Sequence, residues 1–326
     1  MMRPLVRFVT PVLLSVFVVA AVPAAAGSFF FQPEVTYLDF DDADLVFAVD
    51  GEVGDTISTG RANRLDPDHE IGYRLALGYR WENAWDVAFR YGMIDSDDSG
   101  SVTNSRGVLF PTLTHAADTM GFGTAAVATS GLDTELSTVD LEAGYFWGDR
   151  KRNHGRVFFG VRAAWFEQEQ LTSYFSASTS PFDLYTVDTD ADWSAYGLRV
   201  GVEGVAALRG SDHWRFLGSL SVSGLDGDTD VDHHEIFTST SASTLVDLHG
   251  DYSETHFVVE ASLGVGFVVE RATSTFAFEF GYEYASWGDL VTAQGFNVDA
   301  NDSALGNQGQ EDVTLQGAFL RFRWEW

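Results

Sequence analysis

Along most of the chain, apolar and polar positions alternate with a period of two, the signature of strands that bury one face. In Ile71–Trp81 one face reads Ile71, Tyr73, Leu75, Leu77, Tyr79 and Trp81, and the other reads Gly72, Arg74, Ala76, Gly78 and Arg80. After a short turn the pattern resumes, with Trp85, Val87, Phe89, Tyr91 and Met93 opposite Asp86, Ala88, Arg90 and Gly92. The same division recurs in Thr138–Trp147, in Arg156–Phe166, over 193–208, and in His256–Val269 and Thr275–Ala285.

The second face is rich in Gly and Ala, with isolated charges of both signs. Small residues leave room for Arg and carboxylate side chains, so this face suits a confined interior better than open solvent. Aromatic residues gather at strand ends (Tyr79, Trp81, Trp85; Tyr145, Trp147; Tyr282, Tyr284, Trp287), which fits the interfacial girdles of a lipid-embedded barrel. Short connections (82–84, 148–155, 209–213, 270–274) alternate with long ones (41–68, 94–133, 168–192, 224–252, 286–312), as periplasmic turns alternate with extracellular loops. The pattern predicts an all-β, transmembrane, antiparallel up-and-down barrel. Its ten strands fall near 31–40, 69–81, 85–93, 134–147, 156–167, 192–208, 214–223, 254–269, 275–286 and 313–326. An even count places both termini in the periplasm. An extra hairpin around Asp44–Val53 would make twelve.

The N-terminus sets the compartment. Arg3 and Arg7 precede an apolar run from Val12 to Val22, and Ala24 and Ala26 give a small-x-small ending. That reads as a cleaved signal peptide over 1–26, leaving a single barrel domain over 27–326 of an outer membrane. Composition agrees: 32 Gly, 7 Pro and 14% aromatic residues among 326. The absence of Cys excludes disulfides, thiol catalysis and a lipidated N-terminal Cys. A net charge of −29 argues against nucleic acid, whose binding depends on cations that neutralise phosphates. At the other end Leu320, Phe322, Trp324 and Trp326 alternate with Arg321, Arg323 and Glu325. A terminal aromatic on an alternating last strand resembles the signal read by the barrel assembly machinery, with Trp standing where Phe is usual.

Several strand segments resemble the Legionella-type major outer membrane protein family of pore-forming barrels. They are Tyr73–Arg80, Val139–Gly144, Phe159–Gln168, Tyr196–Gly204, Glu260–Gly266 and Gly281–Trp287, in order over residues 70–326. The resemblance implies a pore and gives no solute; the long loops carry no match.

Three constellations carry candidate chemistry. Arg74, Arg80, Arg90, Arg162, Arg199 and Arg215 share the inner face with Asp140, Glu142, Glu203, Glu260, Glu279 and Glu283. These form either a charged constriction that screens ions or small hydrophilic solutes, or a salt-bridged plug, since buried charges must pair. Secondly, Asp95, Asp97 and Asp98 after the third strand, with Asp230, Asp232, His233 and His234 in the loop after the seventh, resemble the Asp pair and Asp-His pair of omptin-type proteases. An acid-rich loop is the preferred account of them. Thirdly, Asp226, Asp228, Asp230 and Asp232 offer oxygen ligands for weak divalent-cation binding, without an EF-hand's spacing. No cofactor motif or dedicated metal site is present. The expected partners are outer-membrane lipid, the assembly machinery and the solutes, and a homo-oligomer is compatible with the sequence.

Overall fold

The computed structural model describes residues 27–326 apart from 42–44, 53–59, 66, 68, 105–106, 114–124, 150–151, 177–183, 239–241, 289, 291–294, 297–304 and 307–311. Residues 1–26, expected from the sequence to be a signal peptide, lie outside the described residues. Ten antiparallel strands close into a barrel: β1 (Gly27–Asp41), β2 (His69–Trp81), β3 (Trp85–Thr103), β4 (Val127–Asp149), β5 (Asn153–Phe175), β6 (Leu184–Ala207), β7 (Trp214–Thr238), β8 (Ala242–Glu270), β9 (Thr275–Trp287) and β10 (Val313–Glu325). Each strand pairs with its neighbours in sequence. β10 closes on β1 from Phe30↔Glu325 to Asp41↔Thr314, so the sheet has no free edge, as a strand wall in hydrocarbon requires. Among the short turns, Ala84, Gly148 and Gly210 take positive φ (75°, 91° and 83°).

The lipid-facing band follows from the alternation. Phe278, Phe280, Leu263, Leu198, Phe159 and Tyr73 all stand exposed on the outer wall, where hydrocarbon replaces water. At the short-turn rim the girdle is made of contacting rings, including Trp85–Tyr145 at 5.3 Å, Trp214–Phe267 at 5.2 Å and Trp324–Trp326 at 4.4 Å.

The ten-strand reading holds over the twelve-strand alternative, and the expectation of long loops is corrected. Val46–Glu52 does not add a barrel hairpin. It pairs with Ala62–Arg64 and Gly107–Pro111 in a separate three-stranded sheet, so the barrel has ten strands. The long loops expected at 94–133, 168–192 and 224–252 are largely strand. The β7–β8 ladder runs from Trp214↔Phe267 to Thr238↔Ala242, and β5–β6 from Asn153↔Ala206 to Phe175↔Leu184. Acidic and polar residues ended the apolar alternation there, but the ladder continues because its interior still has something to bury. Leu45, Phe47 and Leu109 of the small sheet pack against Leu132, Tyr174 and Tyr185 of this upper wall. The Tyr174 hydroxyl donates to the Phe47 carbonyl at 2.6 Å.

Candidate functional site

Inside the barrel the charges form one lattice. Ten strands spaced ~4.8 Å apart and tilted ~40° enclose a backbone cylinder about 20 Å across, so side chains from well-separated strands meet. Arg74 on β2 reaches Glu34 on β1 at 2.9 Å and Glu283 on β9 at 2.6 Å. Arg90 on β3 binds Glu142 and Glu203, each at 3.1 Å. Arg162 on β5 holds Asp140 at 2.7 Å and crosses to Glu260 on β8 at 3.1 Å. Arg199 on β6 binds Asp140 at 2.9 Å, Glu260 at 2.7 Å and Glu142. Arg80 pairs with Glu325 at 2.9 Å, Arg321 with Glu34 and with Glu279 at 3.2 Å, and Arg215 with Glu270 at the rim at 3.4 Å.

Six members of this lattice were not among the sequence candidates for the lumen: Glu34, Asp86, Arg156, Glu270, Arg321 and Glu325. Arg156 is central. It bonds Asp86 at 3.0 Å, Glu142 at 3.2 Å and Glu203 at 3.2 Å, with its guanidinium 4.9 Å from the Phe158 ring. Carrying the period-two phase to the ends of each strand would have found all six. Gly144 shows why the inner face is small: a Cβ there would collide with the Arg156 guanidinium and the Asp86 carboxylate.

The lattice leaves a cavity with ≈170 Å³ open to the centres of water-sized molecules. Arg74, Arg90, Arg162, Arg199, Glu203 and Glu260 are among its lining, beneath Leu38, Ile94, Leu136 and Trp287. Among the lining residues, buried Arg199 Nε and Glu283 Oε1 have no hydrogen-bond partner within the protein, so this is a polar space that calls for water.

Above it the lumen turns apolar. Leu38 and Phe40 (β1), Ile94 (β3), Leu136 (β4), Ala164 and Phe166 (β5), Trp193 (β6), Leu225 (β7), Val258 (β8), Trp287 (β9) and Leu315 (β10) form one cluster, each at most 6% exposed. Nine of the ten strands contribute. This septum sits where the outer wall changes from lipid-facing to acidic: Trp165 and Glu167 flank Phe166, and Met93 and Asp95 flank Ile94. The sequence concealed it, because an inward apolar residue on an otherwise polar face looks like a lapse in the pattern until those of nine strands align.

The candidate protease residues do not come together. Asp95 and Asp97 on β3, and Asp230, Asp232 and His234 on β7, share the phase of the lipid-facing residues and point out of the barrel, with three strands between the groups. Asp98 and His233 point inward. His233 is buried, 2.8 Å from Glu235 and 2.9 Å from Thr189. These aspartates, with Asp226 and Asp228, belong to strands and not to loops, a second consequence of the extended ladders. Asp95, Asp97, Asp230 and Asp232 join two carboxylate rows that cross the outer wall in register. One runs Asp95↔Glu135↔Glu167↔Asp192↔Asp230↔Asp251, and the next runs Asp97↔Asp133↔Glu169↔Asp190↔Asp232 and ends on His249. Partial burial pushes the carboxyls of Asp95, Glu135, Glu167 and Asp190 above their ordinary values, and neighbouring carboxylates add to this for the last three. Carboxylate oxygens of Glu169, Asp188 and Asp190 lie within 4.8 Å of one another.

A closed ten-strand barrel with an apolar band, aromatic girdle and charged interior defines an integral outer-membrane β-barrel protein. The chain belongs to the family described as Legionella pneumophila major outer membrane protein precursor, whose model matches residues 21–326. No curated relative matches the sequence. Among solved structures, the outer membrane protease OmpT from Escherichia coli is similar at 9% identity and TM-score 0.42, covering 93% of this chain and 98% of its own. The Pseudomonas putida toluene transporter TodX aligns at 9% identity and TM-score 0.20, covering 93% and 90%. The transport unit of the E. coli autotransporter AIDA-I aligns at 6% and 0.24, covering 93% and 91%. Likenesses this distant carry no functional argument.

Proposed function

We propose that the protein is an outer-membrane channel for ions or small hydrophilic solutes, closed in this conformation by the apolar septum. The supporting observation is the polar cavity directly beneath the septum, lined by charges of both signs and holding buried polar atoms that need water. A purely structural lumen would be better filled by apolar packing, because a buried ion pair is seldom more stable than a hydrophobic replacement. The lattice selects among solutes, and the septum gates by dewetting, as apolar constrictions do in channels. The septum also favours a second reading, a permanently closed barrel that displays its upper wall.

Planar-bilayer recording of the refolded protein separates the two. The channel reading expects discrete unitary currents in the wild type, with longer openings in a Phe166→Ala/Trp287→Ala variant. Silence from both proteins, with heat-modifiable folding intact, leaves the closed barrel.

A further inference from the structure

An ionisable side chain packs against the rings of the septum. His256 faces inward on β8, two positions above Val258, and is 1% exposed. Its Nδ1 lies 3.2 Å from the Gly288 carbonyl, which can only accept, so Nδ1 carries the proton of the neutral ring. Its Nε2 is buried and has no hydrogen-bond partner. The imidazole packs edge-on to Trp193 at 5.0 Å, and Trp193 in turn meets Trp287 at 6.2 Å. Both indole Nε1 atoms are also buried without a partner. Three strands thus present unpartnered nitrogens inside a largely apolar layer.

We propose that His256 makes the septum acid-sensitive: a proton on Nε2 disrupts the apolar layer and admits water to it. A cation with one N–H unpaired among Leu225, Trp193 and Trp287 is costly while the layer stays dry. Water entering the layer solvates the imidazolium and satisfies both indole N–H groups, so acid favours the hydrated arrangement. The charged groups that flank the layer come from the elements around it. They are Glu254 and Glu260 on β8, Arg199 on β6, Arg162 on β5, 5.7 Å over the Trp287 ring, and Asp312 before β10. On β7 the neighbours are Leu225 and Ser223, neither of which ionises.

The inference rests on the channel reading only for its electrical consequence, so the test has two readouts on the full-length protein in lipid nanodiscs and planar bilayers. Acrylamide quenching of tryptophan and open probability are compared at pH 7.5 and pH 5.0. The wild type is expected to gain quenching and at least about tenfold in open probability at pH 5.0. His256→Leu and His256→Phe are expected to show neither change, while His233→Gln keeps both. An acid response that persists in both His256 variants overturns the proposal. If quenching rises with acid only when His256 is present but no current flows, the septum inference stands and the channel reading falls. If quenching is flat while the Phe166→Ala/Trp287→Ala variant conducts, the channel reading stands and the His256 proposal is wrong.

Discussion

Replacing Arg156 with Met tests whether the lumen lattice is a dry, interdependent structure or a set of solvated charges. Arg156 is 3% exposed and touches three carboxylates, two of which, Asp86 and Glu142, are themselves at most 2% exposed. Met keeps much of the stem's packing against Phe158, so the variant removes mainly the guanidinium. Glu142 retains Arg90 and Arg199, and Glu203 retains Arg90. Asp86 has no other ion-pair partner among the described residues. The loss should therefore concentrate on one stranded carboxylate, costing about 3–5 kcal/mol, or roughly 10²–10⁴-fold in the folding equilibrium. Urea unfolding of the refolded barrel in liposomes measures it, as a lower midpoint at unchanged slope. Adding Asp86→Asn should recover at least about 1 kcal/mol relative to the sum of the single variants, because the stranded charge disappears. A loss under about 1 kcal/mol for Arg156→Met, with no coupling to Asp86, would refute the reasoning and mean that lumen water already solvates these groups.

Neutralising Arg162 and Arg199 to Gln leaves Asp140, Glu142 and Glu260 in excess beside the cavity, so the reversal potential under a salt gradient should move towards cation selectivity. No movement would remove them from the conduction path. The carboxylate rows should make the upper wall pH-dependent. A carboxyl whose folded pKa is raised contributes stability that is present below its ordinary value, near ~4, and is lost as pH rises through the raised value. Proteolytic resistance of the upper strands should therefore be higher at pH 5 than at pH 7, and Glu169→Gln/Asp190→Asn should recover about 0.2–1 kcal/mol at pH 7; equal resistance at the two pH values would contradict this. Magnesium ions should protect the same strands at pH 7 if, as we propose, the rows bind divalent cations weakly. Tyr174→Phe strands the Phe47 carbonyl and should cost about 1–3 kcal/mol, seen as faster hydrogen exchange in Val46–Glu52 with the barrel strands unchanged.

The sequence by itself determined the barrel. Period-two alternation is a local property of each strand, and a lipid-facing wall demands it on all ten, so Ile71–Trp81 or Thr275–Ala285 announces its faces without reference to anything else. The same phase put Arg74, Arg162 and Glu260 on one side. What each of those charges touches was not legible, because Arg162–Glu260 and Arg90–Glu203 connect strands that are three places apart in the closed wall. Closure also decided the height of the strands. Asp226, Asp228, Asp230 and Asp232 carry no apolar partner in sequence and read as a loop, yet the ladder continues through them because Leu225 joins the septum and Val231, facing inward between the acids, is buried. The septum belongs to the same category. Leu136, Phe166, Trp193 and Trp287 are separate apolar residues along the chain, and only the register of a closed barrel brings them to one level as a layer.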